Sequence, residues 1–257
     1  MGLPAKGMRI LVTNDDGIHA PGMKALTKIA KSVTSDVWVV APETEQSATS
    51  HALTLRRPLR IRRLGPRRIA VDGTPTDCVL VAQHRILRDH PADLVLSGVN
   101  HGANLGEDVV YSGTVAAAME AALLGYLAVA FSQVRRRNGK VNFGPAEAHG
   151  AKVLQDLLQA TWAKDVLINV NFPPIAPDEV TGIRVCRQGR RLSGIEVVEG
   201  HAPYGGDFVW IGDFLSDDSS HRESDLAAVK ANAISVTPLH FDMTHQAALR
   251  KLKGALS

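Results

Sequence analysis

Cysteine is nearly missing from this chain: Cys78 and Cys186 are the only two in 257 residues, far apart and in no C-x-x-C pair. That scarcity argues against a disulfide framework or a structural zinc site and fits a reducing cytoplasm. Aromatic residues make up only 5%. No stretch is apolar for the length a membrane span needs, so no membrane partner is expected. The opening MGLPAKG lacks the apolar segment of a secretory signal and reads as a short leader. There is no G-x-x-x-x-G-K-[ST] loop, which disfavours ATP-driven work, and no H-E-x-x-H pair to hold zinc. Charge of one sign is also lacking, since 29 Lys and Arg stand against 26 Asp and Glu. Against these absences, 45% hydrophobic and 21% charged residues describe an ordinary globular composition, long enough for one substantial domain with an extension.

Apolar runs of strand length recur over residues 9–13, 37–40, 68–71, 94–97, 127–131 and 166–170. Several are apolar almost throughout, as strands covered on both faces are. Helical patterns lie between them. Met23, Leu26, Ile29, Ala30 and Val33 share one face, and residues 115–124 and 145–160 read as further helices. Thr74 reads as an N-cap, with Pro75 at the first helical position and Asp77 completing a capping box. Strands alternating with helices predict an α/β fold with a mostly parallel sheet flanked by helices. After Pro173 and Pro174 the pattern changes. Residues 182–213 read as short strands with Gly-rich turns, a hairpin-like extension, 225–232 as a helix, 233–237 as a strand and 244–256 as a terminal helix. The chain is therefore read as a core over 8–174 and an extension over 175–257 suited to oligomerisation.

The stretch VTNDDGIHAPG places Asp15 and Asp16 side by side where the first strand ends. Neighbouring strand side chains point to opposite faces, so the two acids converge only if the backbone turns, and Gly17 permits a turn. Strand C-terminal ends are where parallel sheets bind ligands. Two unpaired carboxylates there repel, unless a hard divalent cation such as Mg²⁺ or Mn²⁺ holds them together. The plainer reading is a solvated loop leading into a helix N-terminus that favours acids. Other strand ends add to the first. One leads into APETEQSATS, which supplies Ser47, and another into SGVNHGANLGEDVVYSGTV, with Asn100, Asn104, and Ser112, Gly113 and Thr114 opening a helix. Hydroxyls and bare N–H groups at a helix start suit an anion. Together these features suggest metal-assisted chemistry on a phosphate ester.

MRILVTNDDGIHAPG, the AP…QSA segment, GTPTDCV, SGVNHGANLGEDVVYSGTVAAAMEA and the closing AISVTPL resemble the SurE survival-protein family of 5'/3'-nucleotidases. The likeness runs from about Met8 to Asp242. It implies a Rossmann-like α/β domain, a C-terminal part exchanged between subunits, and homodimers or homotetramers. It also implies metal-dependent hydrolysis of nucleoside monophosphates, with some members acting on short polyphosphate. Carried over, Asp15 and Asp16 match the acidic metal ligands, Ser47 the hydroxyl ligand and Asn100 the amide ligand of one cation per subunit. Asn104, Ser112, Gly113 and Thr114 match the segment lining the phosphate. Leu127 stands where the family often has proline, and Asn232 where glycine is common. Two chemical routes stay open: a metal-activated water, or direct attack by an aspartate.

Seven arginines crowd residues 56–68, RRPLRIRRLGPRR. A solvated face is the plain reading, and a surface steering anions toward the metal the sharper one. With no aromatics among them for stacking, the run does not favour a nucleic-acid partner. Arg135, Arg136 and Arg137 read as an exposed loop. His19 and His51 flank the acidic and hydroxyl segments without a paired spacing, Cys78 reads as core, and Tyr111 and Tyr204 read as packing or base-stacking residues. A non-catalytic nucleotide-sensing oligomer is the competing function. An aspartate-nucleophile phosphatase of the D-x-D type is disfavoured because the acids here are adjacent.

Overall fold

The computed structural model describes residues 7–136, 139–160, 162–190, 195–214 and 221–256. The predicted leader, apart from Gly7, and Arg137 of the basic loop lie outside them. In chain order the elements are β1 (Ile10–Thr13), α1 (Pro21–Lys31), β2 (Val37–Pro42), β3 (Ile61–Gly65), β4 (Arg68–Val71), α2 (Pro75–Val81), β5 (Leu94–His101) and α3 (Asp108–Tyr111). There follow α4 (Gly113–Leu123), β6 (Leu127–Gln133), α5 (Gly144–Ala160), β7 (Val166–Phe172), β8 (Ile183–Val185), β9 (Ile195–His201), β10 (Asp207–Phe214), α6 (Asp225–Lys230), β11 (Ile234–His240) and α7 (Gln246–Leu256).

Nine strands form one mixed sheet in the order β3-β4-β2-β1-β5-β6-β7-β11-β8. The six from β4 to β7 run parallel. Strand alternation divides their side chains between two cores. Ile10 and Val12 face one core with Leu26, Phe131 and Leu154, under α1 and α5. Leu11 faces the other with Val40, Cys78, Val115 and Ala118, under α2 and α4. β1 holds the centre, and the chain builds outward from it on one side through β2 and β4 before returning to β5 on the other. The strand order thus reverses between β1 and β5. A crevice forms at such a switch point, outside the strand C-termini, where ligands of doubly wound sheets bind.

The local signals hold where a few neighbouring residues suffice. Thr74 Oγ1 accepts from the Asp77 N–H at 3.1 Å, and Asp77 Oδ2 accepts from the Thr74 N–H at 2.9 Å, closing the capping box of α2. α4 begins at the Ser112 cap, whose Oγ accepts from the Val115 N–H at 3.0 Å, and its alanines are buried as the helix lies against β5 and β6. Asn232, where glycine is common in the resembling family, has φ of 60°, a left-handed conformation that asparagine tolerates better than most residues.

Other features correct the sequence reading. β3, not foreseen, is an antiparallel edge strand made from the arginine-rich segment. Three of its five residues are exposed and none is buried, so it carries no buried apolar pattern. β5 runs four residues past the predicted end, with a register shift against β6 between Ser97 and Asn100. β11 is longer than predicted and joins the main sheet, antiparallel to β7 from Ser235↔Asn171 to His240↔Val166. Its Ile234 and Val236 enter the core under α1 and α5. As the sequence reading expected, β9 and β10 pair as an antiparallel hairpin, a two-stranded ribbon apart from the main sheet, and a terminal helix follows; none of the residues of that helix, α7, is buried.

Candidate metal and phosphate site

β1 ends at Thr13, and the turn that follows is closed by short contacts. Gly17 takes φ of 96°, which only glycine adopts freely. Asn14 Nδ2 donates to the Gly17 carbonyl at 2.9 Å, and the Ile18 N–H donates to the Pro42 carbonyl at 2.8 Å. The turn leaves Asp15 only 4% exposed. Thr114 Oγ1, in the first turn of α4, donates to Asp15 Oδ1. α4 can come this close because residue 113 lacks a side chain: a Cβ on Gly113 would stand 2.9 Å from Asp15 Cβ. Asp16 Oδ2 accepts from the His101 N–H at 3.0 Å, which sets it beside Asn100 at the end of β5. The Gln46 N–H donates to the Asp15 carbonyl at 2.7 Å and draws in the segment carrying Ser47. Five of the sequence-predicted residues, Asp15, Asp16, Asn100, Gly113 and Thr114, are thus gathered where β1, β5 and α4 meet.

The remaining predicted residues differ in how they are held. Ser47 is exposed, and its hydroxyl donates to Glu45 Oε1 at 2.7 Å. Asn100 Nδ2 donates to the Gly102 carbonyl at 3.1 Å, so Oδ1 is the atom it can offer a cation. Ser112 is the cap of α4. Asn104 is buried and bonded on every side: its N–H donates to Asn171 Oδ1 at 2.8 Å, and its Nδ2 to Ser132 Oγ at 2.7 Å. Its carbonyl accepts from Asn169 Nδ2 at 2.8 Å and Asn171 Nδ2 at 3.1 Å. Ser132, Asn169 and Asn171, missed in the sequence, hold the loop after β5 from the ends of β6 and β7. The signal was there, as polar residues closing otherwise apolar strands in AFSQ and LINVNF. Glu45 was also missed.

Burial pushes the Asp15 carboxyl up to about 6; the Thr114 hydroxyl opposes the shift and the Asp16 charge adds to it. Burial likewise raises Asp16, with the His101 N–H opposing and the Glu45 charge adding. A buried acid beside a half-buried one, each repelling the other, makes a site short of positive charge, and a cation would lower both. The donors at hand are oxygens. His19 is exposed, and His51 Nε2 sits 2.8 Å from Glu120 Oε2 on α4. Among the described residues no group of three or more His, Cys, Asp or Glu converges. Two carboxylates with a hydroxyl and an amide oxygen fit a hard divalent ion better than zinc.

The arginine run is split by the hairpin of β3 and β4. Arg57 pairs with Asp72, Arg62 with Glu43 at 2.5 Å and Arg67 with Asp36 at 3.3 Å, while Arg68 Nη2 donates to the Ile18 carbonyl at 2.7 Å. Cys78 is buried in the core as expected, and Tyr111 and Tyr204 are exposed.

A mostly parallel α/β sheet with paired acids at its switch point, faced by a helix start with hydroxyls and backbone amides, defines a class: a doubly wound protein whose site suits a hard cation beside an anion. The family described as Survival protein SurE matches residues 10–194, and the chain belongs to that family. It is 53% identical over 248 residues to the 5'-nucleotidase SurE of Paramagnetospirillum magneticum, covering 96% of this chain and 95% of that protein. The 5'-nucleotidase SurE of Rhizorhabdus wittichii is 53% identical over 246 residues, covering 94% and 97%. The crystal structure of the Sure protein from Aquifex aeolicus superposes with a TM-score of 0.84 at 38% identity, covering 97% of this chain and all of that one.

Proposed function

We propose that this chain hydrolyses nucleoside 5'-monophosphates to nucleoside and phosphate with the help of a divalent cation. It is a 5'-nucleotidase, a phosphoric monoester hydrolase, as its relatives are by name. The observation that carries the reading is the Asp15 and Asp16 pair at the switch point, Asp15 buried with Thr114 and Gly113 pressed against it and Asp16 half-buried beside it. In this reading Asp15, Asp16, Ser47 and Asn100 hold one Mg²⁺ or Mn²⁺ per subunit. Such a cation, when bound, supplies charge stabilisation on the phosphoryl oxygens and acidifies water. Thr114 fixes the rotamer of Asp15. The N–H groups opening α4, capped by Ser112, stabilise charge on the phosphoryl group. Asn104 positions the loop that carries Asn100 toward that helix start.

The family resemblance supports extending the substrates to 3'-monophosphates and short polyphosphate. It also supports a homodimer or homotetramer with exchanged C-terminal parts. Trp210 and Ile211 on β10 are 68% and 75% exposed, and Leu252 on α7 is 56% exposed, apolar area that a partner subunit would cover. Among the described residues no helix is long and apolar enough to cross a membrane. Two free, buried cysteines fit the cytoplasm.

Phosphate release from a panel of nucleoside 5'- and 3'-monophosphates, with and without Mg²⁺ or Mn²⁺, tests the proposal directly. Release is expected only with metal. Asp16→Asn should cut the rate at least ~10²-fold, as losing one electrostatic stabiliser does, with partial recovery in excess Mn²⁺. Near-normal turnover of the folded variant at limiting metal would overturn the site.

A further inference from the structure

On the α1 side of the sheet, α1 does not reach the strands beyond β2, and a groove of about 660 Å³ opens between the helix and the edge of β2 and β4. That volume is typical of small-molecule sites. Lys24, Lys28 and Lys31 line one wall, and Arg67 and Arg68 the other, with no Asp or Glu in the lining. The three lysines recur at helical spacing and share one stripe of α1. Like charges so placed destabilise a helix rather than support it. No carboxylate pairs with any of the three among the described residues. Arg67 is partly answered by Asp36 at 3.3 Å and by the Ser35 carbonyl at 2.9 Å. Arg68 is the innermost cation. Its Nη2 is held by the Ile18 carbonyl, but its Nε is buried with no partner at all. A buried guanidinium N–H left unmet is costly, and an anion in the groove would sit beside the charge of the same guanidinium.

We infer that this groove is a second anion site, separate from the paired acids, for a ligand carrying a chain of phosphates, either a nucleoside polyphosphate or inorganic oligophosphate. A single phosphate would leave most of the cations unanswered, because Lys24 and Lys31 are seven residues apart, roughly 10 Å along the helix. A linear polyanion lying along α1 meets lysines on one side and arginines on the other. Val37 and Val39 form an apolar floor that could also take a nucleoside. The site goes beyond the proposed nucleotidase reaction and does not depend on it.

Calorimetric titration of the metal-free full chain in a chelator separates the two. Without a cation the paired acids repel anions, and no phosphate is released. Tripolyphosphate should bind saturably to wild type and to Asp16→Asn alike, with orthophosphate at least ~10-fold weaker. The charge reversal Lys24→Glu with Lys28→Glu, on exposed positions, should weaken tripolyphosphate at least ~10-fold. The single Lys28→Ala, milder for folding, should weaken it by about threefold. ATP binding more tightly than tripolyphosphate assigns the floor to a nucleoside, and equal binding assigns the groove to the phosphate chain alone; both support the site. Absence of saturable binding to wild type, or wild-type affinity in Lys28→Ala and the folded charge-reversed variant, overturns it. Failure of the nucleotidase assay leaves this result untouched.

Discussion

Asp15 combines burial with a neighbouring acid, and this has a consequence for stability. Its pKa of about 6 in the folded protein stands above the ordinary 3.8. For an acid shifted upward, the favourable contribution is complete below the unfolded value and is lost as pH rises through the folded value. The difference is worth on the order of 3 kcal/mol across that window. Metal-free protein should therefore lose thermal stability between about pH 4 and about pH 6.5, by roughly 5–10 °C relative to Asp15→Asn. Mn²⁺ should raise the melting temperature of wild type far more at the upper pH than at the lower one. Parallel pH profiles for wild type and Asp15→Asn in differential scanning fluorimetry would contradict this charge balance. Gly113 invites a second substitution. Gly113→Ala drives a methyl to 2.9 Å from Asp15 Cβ, so α4 must retreat and the Thr114 bond lengthen. Activity should fall at least ~10-fold while the helix persists, since alanine is the better helix former.

At the scale of elements, the end of β7 governs the site although it contributes nothing to the proposed metal shell. Asn169 and Asn171 lie two apart on one strand and therefore point the same way, toward the loop bearing Asn104. Asn171→Leu keeps the volume but leaves the Asn104 N–H buried and unbonded, a cost of about 1–3 kcal/mol. Urea denaturation should show that loss, and kcat/KM should fall with it because the loop after β5 is no longer held. Asn171→Asp keeps the accepting oxygen and should lie between. A kcat/KM unchanged in Asn171→Leu would confine the network to stability. The capping box of α2 was legible because Thr74, Pro75 and Asp77 interact within one turn. The amide network was not, because its partners are 67 residues apart.

The proposed homo-oligomer is decided at the scale of the whole molecule. β11 shields β7, and an exposed β7 would be a long apolar edge open to pairing. Ending the chain after Pro174 should consequently give an aggregating fragment. Ending it after Met243 retains β11 and removes α7, none of whose residues is buried within its own chain. That shorter protein should stay in solution and run as a smaller assembly in size-exclusion chromatography with light scattering. Trp210→Glu should shift the assembly the same way without loss of fold, because its ring is largely exposed within one chain. An unchanged oligomer in both would remove the ribbon and α7 from the interface.

Some of this protein was determined by residues that neighbour one another. Buried strands announce themselves by unbroken apolar runs, the turn after β1 by glycine, and the paired acids by their repulsion at a strand end. The family motifs are likewise continuous segments. Only the tertiary structure decided the rest. The antiparallel entry of β11 beside β7, the edge placement of β3, the convergence of three asparagines and the groove of cations beside α1 depend on which distant segments pair. Strand direction and neighbour choice are set by burying both sheet faces at once, and that free energy belongs to the folded assembly of strands rather than to any one stretch of chain.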